Sequence, residues 1–197
     1  MTERIIFTLQ AIQIDFFTAF GLLTILYFVL SIFTKNEFIK NVDEESSRFI
    51  IFLGIVYLII WSVGLCVELK HLDAEDKFNL LNRMFGKYWF GFWIQPLLWV
   101  LITQLLRFEK IRKNTLVRLL FSVLLIFSIE KMIIIQTSFQ RDYLPSTWTM
   151  YNDLDIYPSN LIVELIMKIT IFLLFVRIFT LITRKLNNSN LKITSTK

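Results

Sequence analysis

Five charged residues interrupt otherwise apolar stretches of this sequence: Asp15, Glu130, Lys131, Glu164 and Lys168. In a low-dielectric setting a lone charge is expensive, so such residues mark either a partner or a function. Glu164 and Lys168 are four apart with the acid first, the order that pairs well on one helix face. The plain reading is a self-satisfied pair near an interface, with the lysine reaching outward. Glu130 and Lys131 point about 100° apart on a helix and cannot serve one another. No basic residue stands three or four positions from Glu130. Its carboxylate must take up a proton or recruit a cation from elsewhere, and Lys168 and Arg141 are the available ones. Glu130 is therefore the leading candidate for chemistry, and Asp15 reads as an interfacial residue.

Absences narrow that chemistry. The sequence has one histidine, His71, and one cysteine, Cys66. That excludes bis-histidine haem ligation and cysteine-ligated iron–sulfur clusters within the chain. No P-loop, Gly-rich dinucleotide turn or metalloprotease motif is present. No cofactor is bound by a readable motif, and no metal site is expected.

The elements that must position these charges are set by composition and periodicity. The chain has 197 residues, of which 55% are hydrophobic and 19% charged. Soluble domains run closer to about 45–50% apolar and about 25% charged. Five apolar runs follow one another: Leu9–Phe33, Phe49–Glu68, Tyr88–Leu106, Val117–Gln136 and Leu161–Thr183. Each approaches the ~20 residues that a helix needs to cross ~30 Å of hydrocarbon. Helices are expected because backbone groups in lipid must be satisfied within their own segment. The expected fold is all-α, a polytopic membrane helical bundle of about five transmembrane helices forming a single domain over residues 1–197. The first run is too long for a cleaved signal peptide and lacks a small-residue cleavage site. Lys35–Arg48 and His71–Lys87 read as charged connections.

Basic residues set an expected orientation. The segments after the first, third and fifth runs carry eleven: Lys35, Lys40, Arg48, Arg107, Lys110, Arg112, Lys113, Arg184, Lys185, Lys192 and Lys197. The opposite side carries six: Arg4, Lys70, Lys77, Arg83, Lys87 and Arg141. The positive-inside rule puts the first group in the cytoplasm, with the N-terminus outside and the C-terminus inside. The net charge of +5 is thus topology signal and not a nucleic-acid face. All five interrupting charges then fall in the outer third of the membrane. In the third run Trp89, Trp93 and Pro96 share one face. They form either a packed aromatic face with a proline kink or the wall of a slot for a flat ring.

One segment carries a resemblance. Residues Gly86–Trp93, Thr103–Leu106, Arg107–Asn114 and Ser128–Tyr151 follow a familiar order. Within them stand Glu130-Lys131 and then Thr137-Ser138-Phe139-Gln140-Arg141-Asp142-Tyr143-Leu144-Pro145-Ser146-Thr147-Trp148. This half of the chain, about residues 86–182, resembles the NrfD-like or polysulphide-reductase-type membrane subunits, most of all the quinol-interacting subunit of alternative complex III. Where that family has Arg after the Glu this chain has Lys131, and where it has His before Arg-Asp this chain has Gln140. Family members are also about twice as long.

The resemblance implies a bacterial inner-membrane, multi-pass subunit that exchanges electrons with menaquinone or another quinone near the outer face. Glu130, Arg141 and Asp142 would manage protons, and Trp89, Trp93 and Gln140 would hold the ring. Asp15, Lys131, Glu164 and Lys168 would form an intramembrane charge network. Implied partners are membrane lipid and redox subunits carrying haem or iron–sulfur clusters, in a hetero- or homo-oligomer, with no nucleic acid. At most, the chain would be a non-haem subunit of a quinol-dependent oxidoreductase complex. Two other readings stand beside this one. One is a degenerate, non-catalytic scaffold or assembly protein. The other is a small transporter or proton-conducting protein using Asp15, Glu130 and Glu164 as a relay.

Overall fold

The computed structural model describes residues 2–34, 36–87, 89–127 and 160–194, and every element among them is a helix. Helix α1 is continuous but changes pitch, running Thr2–Gln10 as α-helix, Ala11–Phe17 as π-helix and Thr18–Phe33 as α-helix again. Helix α2 spans Glu37–His71, α3 Ala74–Phe85, α4 Trp89–Leu105, α5 Glu109–Lys113, α6 Thr115–Ile126 and α7 Leu161–Thr194. Three stretches are long and apolar enough to cross a membrane: Arg4–Phe33, Glu37–His71 and Ile162–Leu186. Trp89–Leu105 and Thr115–Ile126 are shorter apolar helices. Glu130 and the other predicted residues between 128 and 159 lie outside the described residues, as does the end of the fourth expected span.

Four sequence expectations need correction. The first helix begins near Thr2 and not at Leu9. The supposed connection Lys35–Arg48 is largely helix, because Asn36 caps α2 by accepting from the Phe38 N–H at 2.8 Å. At 35 residues, α2 is about 52 Å long, so its first turns extend beyond a hydrocarbon core. The supposed polar connection after it contains the amphipathic α3, which buries Leu80 and Met84 against α4. The missed signal is the helical spacing of Leu80, Leu81, Met84 and Phe85 within a charge-rich stretch. Helix α7 also continues past the expected Thr183.

Neighbouring helices alternate in direction. Tyr57 and Trp61 of α2 pack on Trp99 and Trp93 of α4, while Gln104 at the end of α4 donates to the Ile51 carbonyl at 3.0 Å. Those pairings make α2 and α4 antiparallel. Phe16 and Phe20 of α1 meet Phe172 of α7, and Phe49 of α2 meets Phe172 and Phe179. So α1 and α7 run together and α2 runs against both. Helix α6 lies antiparallel to α1, where Gly21 touches the Ser122 carbonyl and Ile126.

The core is aromatic: Phe17, Tyr57 and Phe172 are fully buried. The outer surface is also apolar, with Leu26, Phe52, Ile59, Leu97, Leu101 and Leu174 among its exposed side chains. A belt of that extent suits lipid and not water. Helices α2 and α4 pack tightly at Gly54, where an added Cβ would overlap the Thr103 side chain. Gly54→Ala is therefore expected to cost about 1–3 kcal/mol, read as a lower unfolding midpoint in detergent. An unchanged midpoint would show that this helix contact is looser than described.

Candidate functional site

The π-helical turn of α1 is the centre of the site. A π-turn inserts an extra residue per turn and so redirects side chains; such bulges recur at functional positions. Here it buries Ile12, Gln13, Asp15 and Phe17 together. Asp15 faces α7, where the Lys168 Nζ lies 3.6 Å from its Oδ1 and 2.6 Å from the Glu164 Oε1. Asp15 and Lys168 are each only 4% exposed. Glu164 is more open, with 24% of its side chain accessible. The result is a buried ammonium held between two carboxylates, one from its own helix and one from across the bundle.

The expected Glu164–Lys168 pair is present, but the lysine does not reach outward. It turns into the bundle, where Asp15 is buried as well. Lys168 lies about 10 Å along α7 from Leu161, and pairing there substitutes for hydration.

On the other side of the same turn, Gln13 points toward α2 and α4. Its Nε2 donates to the Tyr57 hydroxyl at 2.8 Å. Phe17 and Tyr57 pack edge-on against Trp99, at 5.8 Å and 6.3 Å between ring centroids. Two buried atoms here have no hydrogen-bond partner among the described residues: the Gln13 Oε1 acceptor and the Trp99 Nε1 donor. Each unsatisfied group costs about 1–3 kcal/mol. The arrangement thus offers a carboxylate, a cation, an unfilled donor and an unfilled acceptor against aromatic walls.

No protein-family model, curated protein or solved structure matches the chain. The reading of the site therefore rests on its own residues.

Of the two readings of the Trp89–Trp93–Pro96 face, Trp93 follows the packed one. The Trp93 Nε1 donates to the Met84 carbonyl of α3 at 2.9 Å, and its ring packs on Trp61 and Phe92. Trp93 is thus a packing residue that ties α3 to α4. Trp89 is 53% exposed. Neither ring walls a shared space with the Asp15 cluster. Glu130, Lys131, Gln140, Arg141 and Asp142 fall outside the described residues. Among the described residues there is no metal-ligating cluster.

A second buried ion pair lies at the opposite end of the bundle. Arg118 of α6 donates from Nη1 and Nη2 to the two Asp43 carboxylate oxygens of α2, at 2.7 Å and 2.5 Å. This is the bidentate geometry that only arginine makes. The guanidinium sits 5.6 Å from the Tyr27 ring centre and 5.2 Å from that of Phe28. It therefore clamps three helices, α1, α2 and α6. Sequence reading missed it because Arg118 resembles an ordinary basic flank and Asp43 sits in a run of polar residues. The available signal was the N-cap at Asn36, which makes Asp43 helical. Nearby, in the short α5, exposed Glu109 accepts a hydrogen bond from Lys113, which holds its carboxyl below the usual carboxylate range.

Proposed function

We propose that the protein is a polytopic membrane subunit of an electron-transfer complex, with about five spans, N-terminus outside and C-terminus in the cytoplasm. Its outer-half polar centre engages a quinone headgroup. The observation that carries this reading is the π-turn of α1, which presents Asp15 to Lys168 on one side and Gln13 to Tyr57 on the other. A quinone needs a group to manage protons, partners for its two oxygens and an aromatic wall. Asp15 with Glu164, the unfilled Trp99 Nε1 and Gln13 Oε1, and Phe17 supply these kinds of group. The resemblance of residues 86–182 adds Glu130, Arg141 and Asp142 as further proton-handling residues.

The structural reading, a scaffold without quinone chemistry, draws on a different observation. Asp43 and Arg118 join through a bidentate pair, with both carboxylate oxygens accepting from the guanidinium, as in a structural clamp. Glu130→Gln separates the two readings, since it keeps hydrogen bonding and removes the proton acceptor. Quinol oxidation by the parent complex is expected to collapse while protein abundance stays normal. Full activity in Glu130→Gln would leave the scaffold reading ahead. Orientation is tested separately: a reporter after Lys197 is expected in the cytoplasm, and one within residues 149–157 outside. A C-terminal reporter found outside would overturn the assignment of depth.

A further inference from the structure

A cleft opens between α2 and α7 at the end of the bundle opposite the Asp15 cluster. It has a volume of about 110 Å³ and is lined by Glu45, Arg48, Phe179, Thr180, Thr183 and Arg184. That is several times a water's share of about 30 Å³, enough to admit a phosphate group. We propose that this cleft binds the phosphate headgroup of an anionic phospholipid.

Position is the first argument. Arg48 immediately precedes the apolar stretch that starts at Phe49, and Arg184 stands near the end of the apolar segment Ile162–Leu186. The Arg184 Nη2 donates to the Glu45 Oε1 at 2.8 Å, so the two ends are level. The cleft therefore sits where apolar surface gives way to charge, which is headgroup depth in a bilayer. Basic pockets between transmembrane helices at that depth recognise acidic headgroups.

Charge is the second argument. Two guanidiniums face one carboxylate, and Arg48 is exposed with no ion pair among the described residues. Arg184 spends one N–H on Glu45, and its other donors remain for a second acceptor. The Thr180 and Thr183 hydroxyls already donate to the Val176 and Phe179 carbonyls at 2.9 Å. Recognition thus falls to the arginines, whose forked geometry matches a phosphate.

Shape is the third argument. From the cleft toward the middle of the bundle, Phe179 stacks on Phe52 at 5.3 Å. Phe52, Ile55 and Ile59 share one exposed face of α2. An acyl chain descending from the headgroup would lie along that face. A choline or ethanolamine headgroup would bring its own cation against the guanidiniums, so phosphatidylglycerol is favoured over phosphatidylcholine.

The proposal rests on the membrane placement of α2 and α7 and not on quinone chemistry, so either can fail alone. The test is native mass spectrometry of the full-length protein in mild detergent, with phosphatidylglycerol or phosphatidylcholine added. One phosphatidylglycerol is expected to be retained, with about tenfold preference over phosphatidylcholine. Arg48→Gln is expected to weaken retention about fivefold, the effect of one basic residue near the surface. Glu45→Gln, which removes the competing carboxylate, is expected to strengthen it by a similar factor. Arg48 is exposed and makes no ion pair among the described residues, so Arg48→Gln is decisive even where Arg184→Gln fails to fold. Equal retention of both lipids, or unchanged retention in Arg48→Gln, overturns the proposal. Displacement by inorganic phosphate at the lipid's own concentration would also overturn it, reassigning the cleft to a free anion.

Discussion

Lys168→Met is expected to lower the amount of folded protein more than any other single change at the Asp15 end of the bundle. The substitution keeps an unbranched apolar stem but removes the cation that Asp15 and Glu164 share. Removing one partner of a buried ion pair costs about 3–5 kcal/mol, because the remaining charge is left without compensation. Asp15 bears most of that burden, since it is buried and Glu164 is the more accessible of the two carboxylates. The double variant Asp15→Asn/Lys168→Met is accordingly expected to recover most of the loss, as removing both charges removes the penalty. Immunoblotting of membranes, with unfolding midpoints in detergent, reads both outcomes. Equal loss in the single and double variants would show that Lys168 acts through packing and not charge.

The second large effect belongs to Arg118. Arg118→Leu strands the Asp43 carboxylate and is expected to cost about 3–5 kcal/mol. Arg118→Lys keeps the charge but gives up the planar fork and the stacking on Tyr27 and Phe28. A charge-assisted hydrogen bond is worth about 1.5–3 kcal/mol, so the lysine variant should fall between wild type and leucine. The measurement is again the unfolding midpoint. A lysine variant as stable as wild type would mean that charge alone, and not the bidentate geometry, joins the three helices.

Much of the architecture was legible because membranes leave few options. Apolar runs near 20 residues long are expected to be helices. The described parts of those runs are largely helical, except that α6 ends at Ile126 with Phe127 extended, inside the expected Val117–Gln136 span. Boundaries were harder to read. Helix α2 begins twelve residues before the apolar run at Phe49, because capping and amphipathic packing hold its polar start, and neither registers as hydrophobicity. Helix α3 was hidden for the same reason.

The site was legible in kind but not in arrangement. The spacing of Glu164 and Lys168 announced their contact, yet nothing local announced that Lys168 would turn toward Asp15. That contact spans more than 150 residues of sequence, and it depends on a π-turn that no periodicity marks. Gln13 with Tyr57, and Asp43 with Arg118, are similarly long-range pairs of residues that look ordinary in their own segments. The face of Trp89, Trp93 and Pro96 had two readings, a packed aromatic face or a slot, and Trp93 takes the packed one, against α3 and Trp61.

The most direct test of the central claim is the quinone content of the purified protein. Full-length protein extracted from its native membrane in mild detergent should carry quinone, detected by extraction and mass spectrometry. Two variants are compared at matched abundance: Asp15→Asn, which neutralises the buried carboxylate, and Trp99→Phe, which deletes the unfilled indole donor. Trp99→Phe removes a buried group that has no hydrogen-bond partner among the described residues, so the fold should tolerate it. Both variants are expected to lose bound quinone about tenfold or more while remaining folded. Wild-type protein that carries no quinone, or variants that retain it at the wild-type level, would contradict the assignment of the α1 π-turn as a quinone site.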